Sequence, residues 1–394
     1  MSACPGLFAP VVAKDGNLSR LRIPGGRLNV SQIQVIAQLT GQIQITNRAN
    51  LQIRGQEISW TRQQHLQELG LAHPQLDHLR NLMVSPMAGL DPQAIFDPWA
   101  LVLAWQDFTQ AQPELAQVSP KFSVGFDGGE QMAITGFTND LLLSAEILHR
   151  QVYLRLYICG VDGEIVILPS QAIATLAAFT QVYGEYCQAH RSHKTPRLRD
   201  LIDHWGLGKY LGKVNQRLDL EWAAAKRQPL ALIPGPQPVG IYVQKDGNYA
   251  IGVGATLGNL SGSQFLGIGA IAATYGTGEI RLTPWQNLLV PGLGEENLPL
   301  VQQELARLEL SYDPQAIAHR ISACVGSQGC SAALSDTWAD AQLLIKNLED
   351  QSSFRDLTIH LSGCHKLCGR NSPKHLTLVA TGQGQYQAEL NQLD

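Results

Sequence analysis

Gly41-Gln42-Ile43-Gln44-Ile45-Thr46-Asn47-Arg48-Ala49-Asn50-Leu51-Gln52-Ile53-Arg54-Gly55 has an echo far downstream, Gly278-Glu279-Ile280-Arg281-Leu282-Thr283-Pro284-Trp285-Gln286-Asn287-Leu288-Leu289-Val290-Pro291-Gly292. Aligned end to end, Thr46 meets Thr283, Asn50 meets Asn287, Leu51 meets Leu288 and Gly55 meets Gly292. Upstream, Lys14-Asp15-Gly16-Asn17 recurs in the same order as Lys245-Asp246-Gly247-Asn248. Two matches in one order indicate an internal duplication. Ile43, Ile45, Leu51 and Ile53 alternate with polar neighbours, the period of half-buried strands. Asn47 to Asn50 lies where a tight turn would join them. A helical stretch precedes each copy, roughly Ser31 to Leu39 and Ser263 to Tyr275. Each unit therefore reads strand, helix, strand, turn, strand. Two such α+β half-units would pack about a pseudo-twofold axis and leave a cleft at their shared edge.

Four of the seven cysteines fall within 45 residues of the 394-residue chain, as pairs. Cys324 and Cys330 stand six apart, and Cys364 and Cys368 four apart. Two close thiol pairs separated by a helix-length insert point to one metal centre. Thiolate suits zinc or an iron–sulfur cluster. Structural zinc loops are usually tighter than the first pair, whereas a cluster cube is wider and takes one thiolate per iron. Spacing therefore favours iron–sulfur over zinc. Gly326, Gly329, Gly363 and Gly369 would let backbone N–H groups approach the cluster sulfurs. Two disulfides are the remaining alternative, but they require an oxidising compartment. Cys4, Cys159 and Cys187 are scattered singly; Cys187, on an apolar helix, reads as core.

Around these features the chain punctuates itself. Gln56 to Gly70 reads as helix, and 73–92 as a short helix and a loop. Strands are expected at 120–127, 131–137, 141–147 and 152–158, and a long amphipathic helix at about Ser170 to His190. Residues 226–237 form the clearest linker, with Pro229, Pro234 and Pro236 followed by Pro238. Helices are expected near 299–309, 313–321 and 336–349, and a strand at Leu357 to Leu361. The cysteine pairs then sit on turns around the last helix.

Bulk composition narrows the function. With 44% apolar and 16% charged residues, the chain can bury a sizeable core. A formal charge of −4 gives no reason to expect nucleic acid or an anionic membrane as partner. There is no apolar run long enough for a span, and the first residues lack a basic, apolar leader pattern. A cytoplasmic, reducing location is expected.

The cysteine spacing, the duplicated half-unit and Thr46-Asn47-Arg48-Ala49-Asn50-Leu51-Gln52-Ile53-Arg54-Gly55 resemble the sulfite/nitrite reductase superfamily. Ala3-Cys4-Pro5-Gly6-Leu7, Arg281-Leu282-Thr283-Pro284-Trp285 and Ala323-Cys324-Val325-Gly326 leading to Asp340-Ala341 are similar to its precorrin-3B synthase branch. The resemblance covers nearly the whole chain. It implies an α+β fold: two ferredoxin-like half-units related by pseudo-twofold symmetry, plus sulfite/nitrite-reductase-type α/β cluster-binding domains. The implied boundaries are 1–65 and 226–300 for the half-units, the latter with its linker, 66–225 for the first α/β domain and 301–394 for a shortened cluster domain.

It also implies a 4Fe–4S cluster on Cys324, Cys330, Cys364 and Cys368, with Cys368 bridging to a sirohaem iron in a reductase. Arg48, Arg80 and Lys121 match cleft cations of the reductases. The second lysine of their Lys-x-Lys pair is missing, and Ser123 stands there. Trp285 takes the place of Arg48 in the second repeat. Arg48, Arg54, Arg80, Asn81 and Lys121 are the candidates for holding the carboxylate rim of a tetrapyrrole, because guanidinium binds carboxylate as a planar fork. Plainer readings stand beside these: Arg54 as a solvated rim residue, Arg80 as a helix-dipole partner, Lys121 as surface. His365 and Lys366 could donate to the cluster or merely fill a loop, and His73 with His78 lack a third metal ligand.

The resemblance implies monooxygenation of precorrin-3A, with hydroxylation and lactone closure, using dioxygen, an external electron donor (ferredoxin or an NAD(P)H-linked reductase) and a second non-haem iron. Alternatives are a ferredoxin-dependent nitrite or sulfite reductase with sirohaem, a non-catalytic tetrapyrrole-binding iron–sulfur protein, and a structural zinc protein. No dinucleotide fingerprint is evident, so electrons are expected from a partner.

Overall fold

In the computed structural model the opening stretch is an antiparallel hairpin, and its echo repeats it bond for bond. The amide of Thr46 donates to the carbonyl of Asn50 at 2.8 Å, and Ala49 N–H to the carbonyl of Thr46 at 3.0 Å. In the echo Thr283 N–H donates to Asn287 at 2.9 Å and Gln286 N–H to Thr283 at 3.0 Å. Each threonine hydroxyl caps its own turn, accepting from Arg48 N–H at 3.3 Å and from Trp285 N–H at 3.2 Å. Both turns force a non-glycine residue into the left-handed region, Ala49 at φ 51° and Gln286 at φ 66°.

The structure describes residues 4–218, 222–224, 238–349, 351, 357–369 and 375–390. The linker expected at 226–237 lies outside them. The described residues of Met1–Gly6, Arg22–Gly26 and Gly70–Pro236 form one compact unit. Those of Leu7–Leu21, Arg27–Leu69 and Gln237–Asp394 form the other.

The chain begins the second of these units with β1 (Val11–Ala13), β2 (Gly16–Leu21), β3 (Arg27–Asn29), α1 (Val30–Ala37), β4 (Gln42–Ile45), β5 (Leu51–Arg54) and α2 (Trp60–Glu68). It then builds the other unit from β6 (Leu82–Val84), α3 (Trp99–Gln110), β7 (Val124–Asp127), β8 (Leu141–Leu148), β9 (Gln151–Ile158), β10 (Val161–Ile167), α4 (Ala172–Ala189), α5 (Leu198–Trp205), α6 (Leu207–Asn215) and β11 (Ala223–Ala224). It returns with β12 (Gly240–Val243), β13 (Tyr249–Val253), β14 (Asn259–Ser261), α7 (Gly262–Tyr275), β15 (Glu279–Leu282), β16 (Leu288–Leu293) and α8 (Leu298–Arg307). β17 (Ile321–Ala323), α9 (Gly326–Gly329), α10 (Thr337–Leu348), β18 (Ile359–Ser362), β19 (Leu376–Gly382) and β20 (Gln385–Leu390) follow.

The two half-units exchange edge strands. One sheet runs β1-β2-β5-β4-β14 and the other β12-β13-β16-β15-β3. Each half thus completes the other's sheet, the reciprocity a pseudo-twofold relation demands. Capping is duplicated too: Asn29 with Gln32 and Ser261 with Gln264 form capping boxes at the starts of α1 and α7. The same glutamines reach back to the carbonyls of Leu69 at 2.9 Å and Leu308 at 3.0 Å. α1 packs on α7, where a Cβ at Gly269 would meet Ile33 at 2.7 Å. Ile33, Ile36, Ile43, Ile45, Leu51, Ile53, Ile268 and Ile280 are completely buried, each worth about 1.5–3 kcal/mol of transfer free energy.

A second duplication appears in the topology. The six-stranded sheet runs β11-β10-β9-β8-β7-β6, with β6–β7 and β7–β8 parallel and β8–β9 antiparallel. The last sheet, β17-β18-β19-β20, repeats that scheme: two parallel pairings, then one antiparallel. Each module carries a long helix between its first two strands, α3 and α10, the latter preceded by the single turn of α9. The fold is therefore α+β, with two ferredoxin-like half-units and two α/β modules.

Some local expectations need correction. No strand forms at 131–137; carboxylates satisfy that loop instead, with Asp127 accepting from Ile134 N–H at 2.6 Å and Asp91 from Gln131 N–H at 2.7 Å. The helix expected at 313–321 is one 3-10 turn, Ile317–His319. The loop expected before Pro92 contains β6. No helix among the described residues is long and apolar enough to cross a membrane.

Candidate metal centre

Parallel pairing brings the cysteines together. β17 and β18 run side by side with Ala323 opposite Leu361, so their C-terminal ends share one edge. Cys324 follows β17 directly, and Gly363-Cys364 follows β18. Cys324 N–H donates to the Leu361 carbonyl at 3.1 Å, and Gly363 N–H points at the Cys324 Sγ at 3.1 Å. α9 turns the chain from Cys324 to Cys330. All four thiols line one cavity of about 210 Å³. Its other walls include Arg20, Gln44, Gln52, Arg54 and Gln286.

The donor set fits a four-iron cluster. Partial burial, then the neighbouring Cys364, Cys324 and Cys330, push the Cys368 thiol above its ordinary value, although its side chain sits exposed at the rim. Thiolates crowded this way are relieved by cationic iron. Among the described residues no three His, Cys, Asp or Glu side chains converge tightly enough for one metal ion. The thiols instead surround a cavity, as a wider cluster requires. All seven cysteines are free. Burial pushes Cys159 up to about 12 and Cys187 up to about 11, so neither is a ready thiolate.

The first copy of the repeated Lys-Asp-Gly-Asn turn grips the cysteine loop. Lys14 Nζ donates to the Ser327 carbonyl at 2.7 Å. Arg54 forks onto Asp15 at 2.7 and 3.0 Å and donates to the Gly329 carbonyl at 3.2 Å. Gly16, at φ 107°, lets the turn close against Gly55, where a Cβ would meet the carbonyl oxygen at 2.8 Å. The second copy has no such task, and Asp246 there bonds to Asn248 of its own turn. Arg54, a candidate for a tetrapyrrole carboxylate, lines the cavity and also supports the loop between Cys324 and Cys330.

A polar ladder that the sequence reading missed crosses the cavity wall. Arg20, Gln52 and Gln44 lie opposite one another on β2, β5 and β4. Arg20 donates to Gln52 at 2.9 Å, and Gln52 to Gln44 at 3.0 Å. The alternation that buries Ile43 and Ile53 puts these side chains on the opposite face, and Gln44 at 8% exposure shows that this face is covered. His360, completely buried and bonded to Ser322 at 3.0 Å, was also missed.

Arg48 is half-buried next to Asn47, itself a cavity residue. Arg80, Asn81 and Lys121 belong to the other compact unit. Arg80 donates to the carbonyls of Gly70 at 2.7 Å and Arg22 at 3.1 Å, with Asp77 at 3.5 Å. Asn81 donates to the Phe122 carbonyl at 3.1 Å, and Lys121 is half-buried. Ser123 is buried, with its N–H and Oγ on Asp140 at 3.0 and 3.1 Å. Cys4 accepts from Arg22, which is paired with Asp77. His365 and Lys366 are exposed. Burial holds His73 below its ordinary value and depresses His78 to about 4.

Comparison with known proteins agrees with this architecture. The nitrite/sulfite reductase ferredoxin-like half domain matches residues 12–69 and 242–308. The nitrite and sulphite reductase 4Fe-4S domain matches residues 75–221, the module in which Ser85 follows β6 as Cys324 follows β17. The ferredoxin–nitrite reductase of Synechococcus elongatus is 28% identical over 392 residues, covering 93% of this chain and 76% of its own. A precorrin-3B synthase from Sinorhizobium sp is 27% identical over 390 residues, covering 97% and 81%. The solved structure of the Mycobacterium tuberculosis NirA protein superposes with a TM-score of 0.81 at 23% identity, over 95% of this chain and 74% of that one. Two family domains laid along one duplicated fold, with four thiols around one cavity, make the chain a member of the nitrite and sulfite reductase superfamily.

Proposed function

We propose that the chain is an oxidoreductase in which Cys324, Cys330, Cys364 and Cys368 hold a 4Fe–4S cluster, and that it is a precorrin-3B synthase acting on precorrin-3A. The gathering of the four thiols around one cavity carries the first part. A cluster held by these four thiols would supply single electrons. The second part draws on Ser123. Where the reductases keep a second lysine, this chain has a small residue committed to Asp140. A site meant to hold and protonate an oxyanion would lose a fixed cation by that change. In the synthase reading the macrocycle is substrate: dioxygen gives one oxygen to the ring and leaves the other as water, consuming two electrons and two protons.

The chain's own residues then bind and orient. Arg48, beside the cavity residue Asn47, and Arg20 on the cavity wall offer charge to the carboxylate rim. Arg80, Lys121 and Asn81, in the other compact unit, are candidates for the same task by the family resemblance. Arg54 acts through the cysteine loop. Electrons come from outside the chain; ferredoxin is the natural donor class, since the Synechococcus elongatus relative is a ferredoxin–nitrite reductase. That relative favours the second reading, a ferredoxin-dependent nitrite or sulfite reductase with resident sirohaem.

Anaerobic purification followed by turnover separates the two. The synthase reading expects iron and sulfide without tightly bound pigment, and oxygen-dependent conversion of precorrin-3A. Co-purifying sirohaem with reduction of nitrite or sulfite would overturn it.

A further inference from the structure

Three cavities in the cysteine-bearing unit adjoin one another through shared lining residues. The cysteine cavity and a second of about 20 Å³, room for one water molecule, share Gln286. That second cavity and a third of about 780 Å³ share Leu257, Ala318 and His319. Six buried polar atoms with no hydrogen-bond partner fall on residues of the second and third cavities: both ring nitrogens of His319, Asn287 Nδ2, Arg320 Nε, Asn259 Oδ1 and Trp338 Nε1. Buried polar atoms are nearly always satisfied by protein or water, so six of them on two adjoining cavities are places where water would find partners.

We propose that His319 relays protons from the largest of these cavities, through the water-sized one where Gln286 orients the water, to the cysteine cavity. The geometry suits each part. The His319 ring lies flat against Gly254, where a Cβ would meet ring Cε1 at 1.9 Å, so its slot exists only because residue 254 has no side chain. With neither nitrogen bonded to protein among the described residues, the ring can take a proton on one and release one from the other. Burial holds it below its ordinary value, partly offset by Asp313, so the neutral form that relays is the resting form at neutral pH. Among groups lining its two cavities, Arg320 is the cation and Glu309, Asp313 and Glu349 the carboxylates. Gln286, held by its strained turn, donates to the Ile45 carbonyl at 3.1 Å. Freeing an oxygen atom as water takes two protons, whether it comes from dioxygen or from an oxyanion. The relay therefore serves either branch and rests only on the reading of the cysteine cavity as a redox centre.

The test uses cluster-loaded full-length chain, with a pH-indicator dye to follow proton uptake on chemical reduction. His319→Ala is expected to slow uptake by about tenfold or more without slowing reduction itself. Free imidazole, which fits the vacated slot on Gly254, is expected to restore it. Wild-type uptake in fully loaded His319→Ala would overturn the relay. If that variant does not load, Gln286→Leu serves instead, with slowed uptake supporting the proposal and wild-type uptake in loaded protein overturning it. A loaded wild-type chain that takes up no proton would also overturn the relay, whereas a chain that binds no cluster would overturn the site reading beneath it.

Discussion

Replacing Arg54 by methionine keeps the length of the side chain and removes its fork. The change deletes two hydrogen bonds to Asp15 and one to the Gly329 carbonyl. The Arg54 and Asp15 side chains are 13% and 30% exposed, so solvent screens the pair and its loss costs about 1 kcal/mol. Losing the bond to Gly329 adds about 1 kcal/mol. Together, about 2 kcal/mol shifts the opening equilibrium of the Cys324–Cys330 loop by about thirtyfold. When reclosing is fast, attack on an opened segment follows that equilibrium. Cluster loss to an iron chelator, followed by the decay of visible absorbance, is therefore expected to run about thirtyfold faster in R54M than in wild type. Arg54→Lys, which retains one contact, should fall between. R54M that loses its cluster at the wild-type rate would refute the clamp. R54M that keeps its cluster and loses only tetrapyrrole affinity would return Arg54 to the ligand-binding set.

Other outcomes follow from the same geometry. Gly363→Ala places a Cβ 2.5 Å from that of Ala333 and beside Cys324 Sγ, so iron content should fall with little change in far-ultraviolet circular dichroism, while Gly41→Ala, with open space around it, should match wild type. Burial, reinforced by Asp127 and Asp91, pushes Glu130 up to about 8, and burial raises Asp127 to about 6. Folded chain therefore holds protons that unfolded chain releases from about pH 4.5 upward, and this contribution to stability is lost as pH rises toward 8. Glu130→Gln should flatten that fall in melting temperature and gain on the order of a few kcal/mol at its upper end; an unchanged slope would contradict it. Ile53→Ala, at a completely buried position, should cost about 2–5 kcal/mol in denaturant unfolding.

The duplicated half-unit was legible because its signals are local. Alternation at Ile43, Ile45, Leu51 and Ile53, and a threonine-capped turn, survive in both copies. The gathering of the cysteines was legible as spacing, although what brings them together, the parallel pairing of β17 and β18, is not local. β6 was hidden because Leu82, Met83 and Val84 are all buried and show no alternation. The stretch 131–137 misled because its buried Met132, Ile134 and Phe137 mimic a strand while Asp127 and Asp91 take its amides. The second duplication conserves pairing order rather than residues, so Ser85 and Cys324 share a place without sharing chemistry. Arg54 was read from its neighbours in sequence, whereas its partners, Asp15 and Gly329, are distant along the chain.

A single 4Fe–4S cluster on Cys324, Cys330, Cys364 and Cys368 underlies every function proposed for this chain. Iron and acid-labile sulfide analysis of anaerobically purified chain, with electron paramagnetic resonance after reduction, tests it most directly. About four irons and four sulfides per chain and a reduced-cluster signal are expected, both lost in Cys364→Ser. Zinc in place of iron, or a cluster that persists in Cys364→Ser, would contradict it.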